Sequence, residues 1–185
     1  MGQQMADTKR RKRKRLVLKE GDIFEFGVPD GRLGYGVIVM PNSGVPYVII
    51  LASLHQSRPS IAEIAGDQIA LVGWTTDALI YHDRWRIVGH DFPRRIDIPF
   101  PNWKVGMEGK TYVTDVTGEL IDEATPEEEG LLDYQFSRSA ISYQNAFEAL
   151  SGFNEWDESH EKITPAYARQ RITRASPRAW PLRDN

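Results

Sequence analysis

The sequence has 185 residues and a net charge of -3, with 41% hydrophobic and 26% charged residues, proportions typical of one globular domain with a real core. Cysteine is absent, which excludes a disulfide scaffold, thiolate metal sites and cysteine nucleophiles. No apolar run approaches the roughly 20 residues of a membrane-spanning helix. The first residues also lack the apolar stretch of a secretory signal, so we expect a cytoplasmic protein without a membrane partner.

The chain begins with a polar segment that ends in a run of cations. These seven adjacent residues are Lys9, Arg10, Arg11, Lys12, Arg13, Lys14 and Arg15. Because like charges repel, residues 1–15 are predicted to form a disordered basic arm. Such a run is also typical of a localisation signal or a nucleic-acid contact, but no aromatic side chain is interleaved for base stacking.

The next segment is predicted to form β-strands separated by turns. Apolar β-formers surround Gly21 and Asp22, Gly31 marks a tight turn, and continuous apolar runs follow over 33–40 and 45–52. Gly34 and Gly36 lie two residues apart and so share one strand face. A face without side chains permits close backbone approach, a bulge or a tight barrel bend.

The later elements are strands first and then helices. Pro126 suits the first turn of a helix, Ser139 or Ser142 can cap the helix over 140–150, and Gly152 suits its end. In chain order we predict a loop over 53–67 with a helical turn at 61–65, strands over 68–73 and 84–89, a hairpin over 111–122, a helix beginning near Thr125, and a helix over 140–150.

These elements predict a single α+β domain over residues 16–161. Its expected architecture is a bent antiparallel sheet or small open β-barrel, followed by one or two C-terminal helices. Residues 162–185 are predicted to form a basic, proline-containing tail outside the domain, with a short helix around 165–174.

The charge is distributed unevenly along the chain. Residues 16–161 carry a net charge of -14, whereas residues 9–15 carry +7 and residues 162–185 carry +5. An acidic domain suits a basic partner, since opposite charge speeds association. The run at 127–129 is polar throughout, so we expect solvated carboxylates with ordinary pKa values. Trp103 follows two prolines and is predicted to lie on the surface. The predicted partner-binding residues are Glu127, Glu128, Glu129, Asp133, Trp103 and Tyr134.

The sequence offers no arrangement typical of an active site. His82-Asp83 and His90-Asp91 flank the strand that contains Trp85, but no compact spacing supplies further metal ligands. A nucleophile elbow and a phosphate-binding loop are also missing. We therefore predict no enzyme activity, no catalytic residues, no metal and no cofactor.

Three segments together resemble the immunity protein 26 family. The first contains Gly21-Asp22 and runs over 19–37 with Asp30-Gly31 and Gly34-Tyr35-Gly36; the second is Trp85-Arg86-Ile87-Val88-Gly89; the third is the closing segment with the helix over 140–150, Gly152 and Trp156. The resemblance covers about residues 17–160. It implies a bacterial antidote, encoded beside a polymorphic toxin, that binds the toxin domain stoichiometrically and does no chemistry of its own. Neither basic end is a family feature.

Three functional hypotheses remain at this point. An acidic immunity protein would suit a basic nuclease toxin, because its carboxylates mimic phosphate charge, although another toxin enzyme also fits. A nucleic-acid-associated barrel would instead use Lys9–Arg15 and the basic tail, and its binding would weaken steeply with salt. A metal-dependent enzyme would require His90.

Overall fold

A computed structural model describes residues 17–90, 92 and 96–175. Residues 1–16, with the basic arm, and residues 176–185 lie outside the described part. The strands are β1 (Ile23–Gly27), β2 (Leu33–Met40), β3 (Tyr47–Leu51), β4 (Ile69–Trp74), β5 (Arg86–Gly89), β6 (Trp103–Met107), β7 (Lys110–Thr114) and β8 (Leu120–Glu123). The helices are α1 (Ile61–Ala65), α2 (Ala78–Tyr81), α3 (Pro126–Leu131), α4 (Ala140–Leu150) and α5 (Pro165–Gln170), with a 3₁₀-helix over Glu158–Ile163.

The main sheet contains five antiparallel strands in the order β4-β3-β2-β1-β5. Successive hairpins join β1, β2 and β3, and β5 pairs with the free side of β1. All residues of β3, and all of β2 after Leu33, are buried. Their apolar runs are continuous because both faces of the sheet are covered. The sheet does not close into a barrel, so of the two predicted architectures the antiparallel sheet is the one present.

One face of the main sheet packs against α4, α2 and Trp85. Gly36 pairs with Phe24 and Gly34 with Phe26 across the β1–β2 ladder. The Phe24 ring stacks on Trp85 with centroids 4.6 Å apart. The glycines therefore provide the space for two aromatic rings, a role that differs from those predicted for their shared face.

The other face is covered by the smaller sheet, in the order β6-β7-β8, and by the segment that precedes it. The predicted hairpin over 111–122 corresponds to β7 and β8. Strand β6 is not among the sequence predictions. Its residue Trp103 pairs with Thr114 on β7, which directs the indole toward the main sheet.

The folded unit continues beyond the predicted boundary at residue 161. Ile163 and Ala168 are buried, one in each hydrophobic core cluster. Asn102 N donates to Arg171 O at 2.9 Å, and Thr173 N and Arg174 N both donate to Asn102 Oδ1 at 2.9 Å. The segment 162–175 is thus part of the domain, since it contributes core side chains and binds the start of β6. The predicted basic tail is wrong over these residues.

Candidate partner-binding surface

The acidic charge is concentrated around the small sheet and α3. Residues 103–134 contain nine acidic and two basic side chains, a net charge of -7. The acidic run forms a helix because Thr125 and Glu128 make a capping box: Glu128 N donates to Thr125 Oγ1 at 3.2 Å, and Thr125 N donates to Glu128 Oε2 at 2.9 Å. Carboxylates in the first turn also favour the helix dipole.

Helix α3 is held against β6 and β7 by polar contacts. Lys104 Nζ donates to Glu129 O at 2.5 Å, and Thr111 Oγ1 donates to Glu129 Oε1 at 2.6 Å. Lys104 N donates to Asp133 O at 2.9 Å. Glu127 and Glu129 stay exposed in this arrangement, and Tyr134 is 62% exposed.

Glu128 differs from its neighbours because it is buried and ion-paired. Arg174 reaches it with two hydrogen bonds, Nε to Oε1 at 2.8 Å and Nη2 to Oε2 at 2.7 Å. The hydrogen bonds from Arg174 lower the pKa of Glu128 to about 2, against the opposing effect of burial. The expectation of a solvated carboxylate with an ordinary pKa is therefore wrong for Glu128. Its bidentate partner lies 46 residues away.

Asp133 also binds the C-terminal segment. Its carboxylate accepts hydrogen bonds from Lys162 Nζ at 3.0 Å, from Arg171 Nε at 3.2 Å and from the Tyr167 hydroxyl. Burial opposes ionisation, but these donors lower the pKa of Asp133 below its usual value. Burial, together with the hydrogen bond to Asp133, raises the pKa of Tyr167 to about 12. Asp133 therefore holds α5 in place.

Trp103 is a core residue. The residue is 4% exposed, and its ring makes an edge contact with Phe136 at 5.2 Å between centroids. Its predicted position on the surface is wrong, because strand pairing turns the side chain inward despite the flanking prolines and polar residues.

Three of the six predicted residues therefore remain accessible to a partner: Glu127, Glu129 and Tyr134. Leu131, at the end of α3, is 40% exposed and was not predicted. We call these four residues the α3 surface. Apart from the acidic run, the sequence signal for this surface is the position of Leu131 between Gly130 and the buried Leu132.

The basic side chains of the described C-terminal segment are occupied by the domain itself. Arg171 and Arg174 bind Asp133 and Glu128, and Arg169 Nη2 lies 3.3 Å from Asp97 Oδ2. This disagrees with a free cationic tail that contacts nucleic acid. The Lys9–Arg15 part of that hypothesis lies outside the described residues.

The histidines do not assemble a metal centre in the described part of the chain, where no cluster of three or more potential ligands occurs. His90 Nδ1 instead lies 2.5 Å from Asp22 Oδ1. Asp22 also accepts a hydrogen bond from Lys19 N at 2.8 Å, so it fixes the turn before β1. Within the same residues no helix is both long enough and apolar enough to cross a membrane.

The lowered pKa of Glu128 predicts acid sensitivity of the folded state. The pKa of Glu128 is about 2 in the folded protein and has its ordinary value of 4.5 in the unfolded chain. Its stabilisation is therefore complete above about pH 4.5 and is lost as the pH falls toward about 2. Urea unfolding between pH 3 and 7 should show a steeper loss for the wild type than for Glu128→Gln. Glu127→Gln, on the exposed side of the same helix, should follow the wild type. Parallel curves for all three proteins would contradict the prediction.

The chain is similar to a known protein family. The family model described as Immunity protein 26 matches residues 19–111, half of the chain. The matched span contains β1 to β6 and reaches the first residues of β7, whereas α3 lies outside it. No curated protein and no solved structure matches the chain.

Proposed function

The chain belongs to the Immunity protein 26 family, and from this premise we propose that it neutralises a cognate bacterial toxin domain by binding it stoichiometrically. Family membership is the observation that carries the proposal. In this mechanism the protein blocks or distorts the toxin's working surface and needs no catalytic residue, metal or cofactor of its own.

We propose that the toxin domain contacts the α3 surface. Glu127 and Glu129 are exposed carboxylates, and Leu131 and Tyr134 add apolar and aromatic area beside them. Aromatic side chains contribute strongly to binding energy when a partner buries them. Acidic neighbours attract a basic surface and speed encounter. We propose a basic toxin domain as the partner, with a nuclease groove as the favoured target because carboxylates can take the place of phosphates.

The test uses the toxin domain encoded beside this gene, purified with an inactivated active site. Isothermal titration calorimetry should show one-to-one binding to the wild-type protein. The double variant Glu127→Lys/Glu129→Lys should bind about 10- to 100-fold more weakly, with a smaller salt dependence. Both side chains are exposed, but Glu129→Lys removes the hydrogen bond from Thr111 Oγ1, so affinities are compared at a temperature where circular dichroism shows the variant to be folded.

The matched control reverses two exposed carboxylates elsewhere, in Glu155→Lys/Glu158→Lys. Its net charge equals that of the test variant, so it should retain nearly the wild-type affinity if the contact is local. An equal loss in both variants would contradict the α3 surface. Absence of binding by the wild-type protein would contradict toxin neutralisation by stoichiometric binding.

A further inference from the structure

A cleft of about 440 Å³ opens at the edge of the main sheet, where β1 extends beyond its pairing with the start of β5. The end of β1, the start of β2, the loop between α2 and β5, and one residue of α4 form its walls. It lies between the glycine-rich hairpin and the Trp85 strand, the two segments that first suggested the family. Neither the proposed toxin contact at α3 nor the family match assigns a role to it.

The floor of the cleft contains a buried carboxylate that is already satisfied. Glu25 is 7% exposed. Arg58 binds it with two hydrogen bonds of 2.5 and 3.0 Å, and the Tyr35 hydroxyl lies 3.3 Å away. Burial and the neighbouring Glu25 raise the pKa of Tyr35 to about 12, so its hydroxyl remains a donor. Glu25 therefore adds no unbalanced negative charge to the cleft.

The rim carries two exposed arginines, Arg84 and Arg86. Arg86 Nε is 3.9 Å from Asp83 Oδ2, a long and exposed ion pair. In the described part of the chain no carboxylate lies within ion-pair distance of Arg84. With Glu25 balanced by Arg58 and Asp83 lying near Arg86, the cleft has a surplus of one positive charge in an otherwise acidic domain.

The backbone that presents these arginines is firmly held. Arg84 N and Trp85 N both donate to Leu79 O, at 2.8 and 3.0 Å. Trp85 is 1% exposed and stacks on Phe24. Asp83 has φ of 60°, a left-handed conformation that is costly for a residue other than glycine. The strained backbone of Asp83 and the buried Trp85 therefore fix the backbone positions from which the side chains of Arg84 and Arg86 extend.

We propose that this cleft binds a single carboxylate side chain presented by an acidic loop of a partner protein, with Arg84 and Arg86 as the donors. Guanidinium groups pair with carboxylates through parallel hydrogen bonds. A monocarboxylate matches the surplus of one positive charge, whereas a phosphate dianion would be left with an unbalanced charge close to Glu25 and Asp83. The inference is independent of the toxin contact proposed at α3.

The test is an NMR titration of the ¹⁵N-labelled full chain with N-acetyl-glutamate amide at constant ionic strength. The neutral isostere N-acetyl-glutamine amide is the matched probe. We expect saturable shifts, with the carboxylate probe only, at the amide of Gly27 and at the Nε–H groups of Arg84 and Arg86. Arg84→Gln should weaken binding about tenfold. Arg32→Gln, in an exposed pair with Asp30, should leave the affinity unchanged.

Shifts that grow linearly without saturation, or that are the same with both probes, would overturn the proposal. So would inorganic phosphate binding more tightly than the carboxylate at the same amides, since the site would then recognise phosphate. The titration contains no toxin, so its failure leaves the proposed function untouched. Failure of the toxin-binding experiment likewise leaves this titration valid.

Discussion

We expect Gly36→Ala to lower the free energy of unfolding by about 2 to 3 kcal/mol, as overpacking of a filled core does. A Cβ atom at this position would lie 2.3 Å from Phe24 Cζ and 2.7 Å from Ile49 O. The backbone oxygen cannot move without disturbing the β2–β3 ladder, and the Phe24 ring is held by Trp85. Urea unfolding followed by tryptophan fluorescence measures the loss, which corresponds to roughly 2 to 4 °C in Tm per kcal/mol.

The matched control is Gly106→Ala, which also places alanine in a strand. A Cβ atom at Gly106 meets nothing within 4 Å, so the change should stay within about 0.5 kcal/mol. In the Gly36→Ala background, Phe24→Leu removes the end of the ring and should cost less than it does in the wild type. Equal losses at Gly36 and Gly106 would show that the ring contact does not limit the space.

The shared face of Gly34 and Gly36 is predictable from local sequence alone. A strand has a period of two, so the spacing of Gly34 and Gly36 already places both on one face. Their partners Phe24 and Phe26 have the same spacing and lie across a short hairpin turn. The packing of the two rings on these glycines depends in addition on the hairpin register, which the structure supplies.

The errors come from contacts between residues that are distant in the chain. Trp103 follows Pro99 and Pro101 and has polar neighbours, which is typical of an exposed loop. Only the pairing of β6 with β7 and the packing of the small sheet on the main sheet bury it. The sequence around Arg174 is similarly typical of a free basic tail, and only the fold brings Arg174 into its ion pair with Glu128. Charge counted along the chain cannot show which opposite charges meet.

These long-range ion pairs also separate the acidic side chains into two groups, those paired within the fold and those exposed to solvent. Glu128 and Asp133 face the C-terminal segment, and their exposed neighbours Glu127 and Glu129 face solvent. The main sheet, within the family-matched residues, provides the rigid platform, and the small sheet and α3 extend from it. We therefore assign stability to the paired carboxylates and propose partner contact for the exposed ones, which separates the expected effects of adjacent substitutions.

The sharpest test of that division is a double-mutant cycle on Glu128 and Arg174. Arg174→Ala leaves a buried carboxylate without its guanidinium partner, so we expect Tm to fall by about 5 °C or more. Glu128→Gln combined with Arg174→Ala should lower Tm by much less than the sum of the two single effects. At a temperature where the wild type and Arg174→Ala are both folded, the variant should bind the toxin with nearly the wild-type affinity.

Arg169→Ala is the control, since its partner Asp97 has a side chain that is 90% exposed. An exposed ion pair contributes little, so this variant should keep nearly the wild-type Tm. If Arg174→Ala behaved like Arg169→Ala, the C-terminal arginines would not hold the domain together, and the basic segment would again be available for an external anionic partner. A large loss at Arg174 alone would instead show that the segment is part of the fold, because one buried ion pair joins it to the acidic helix.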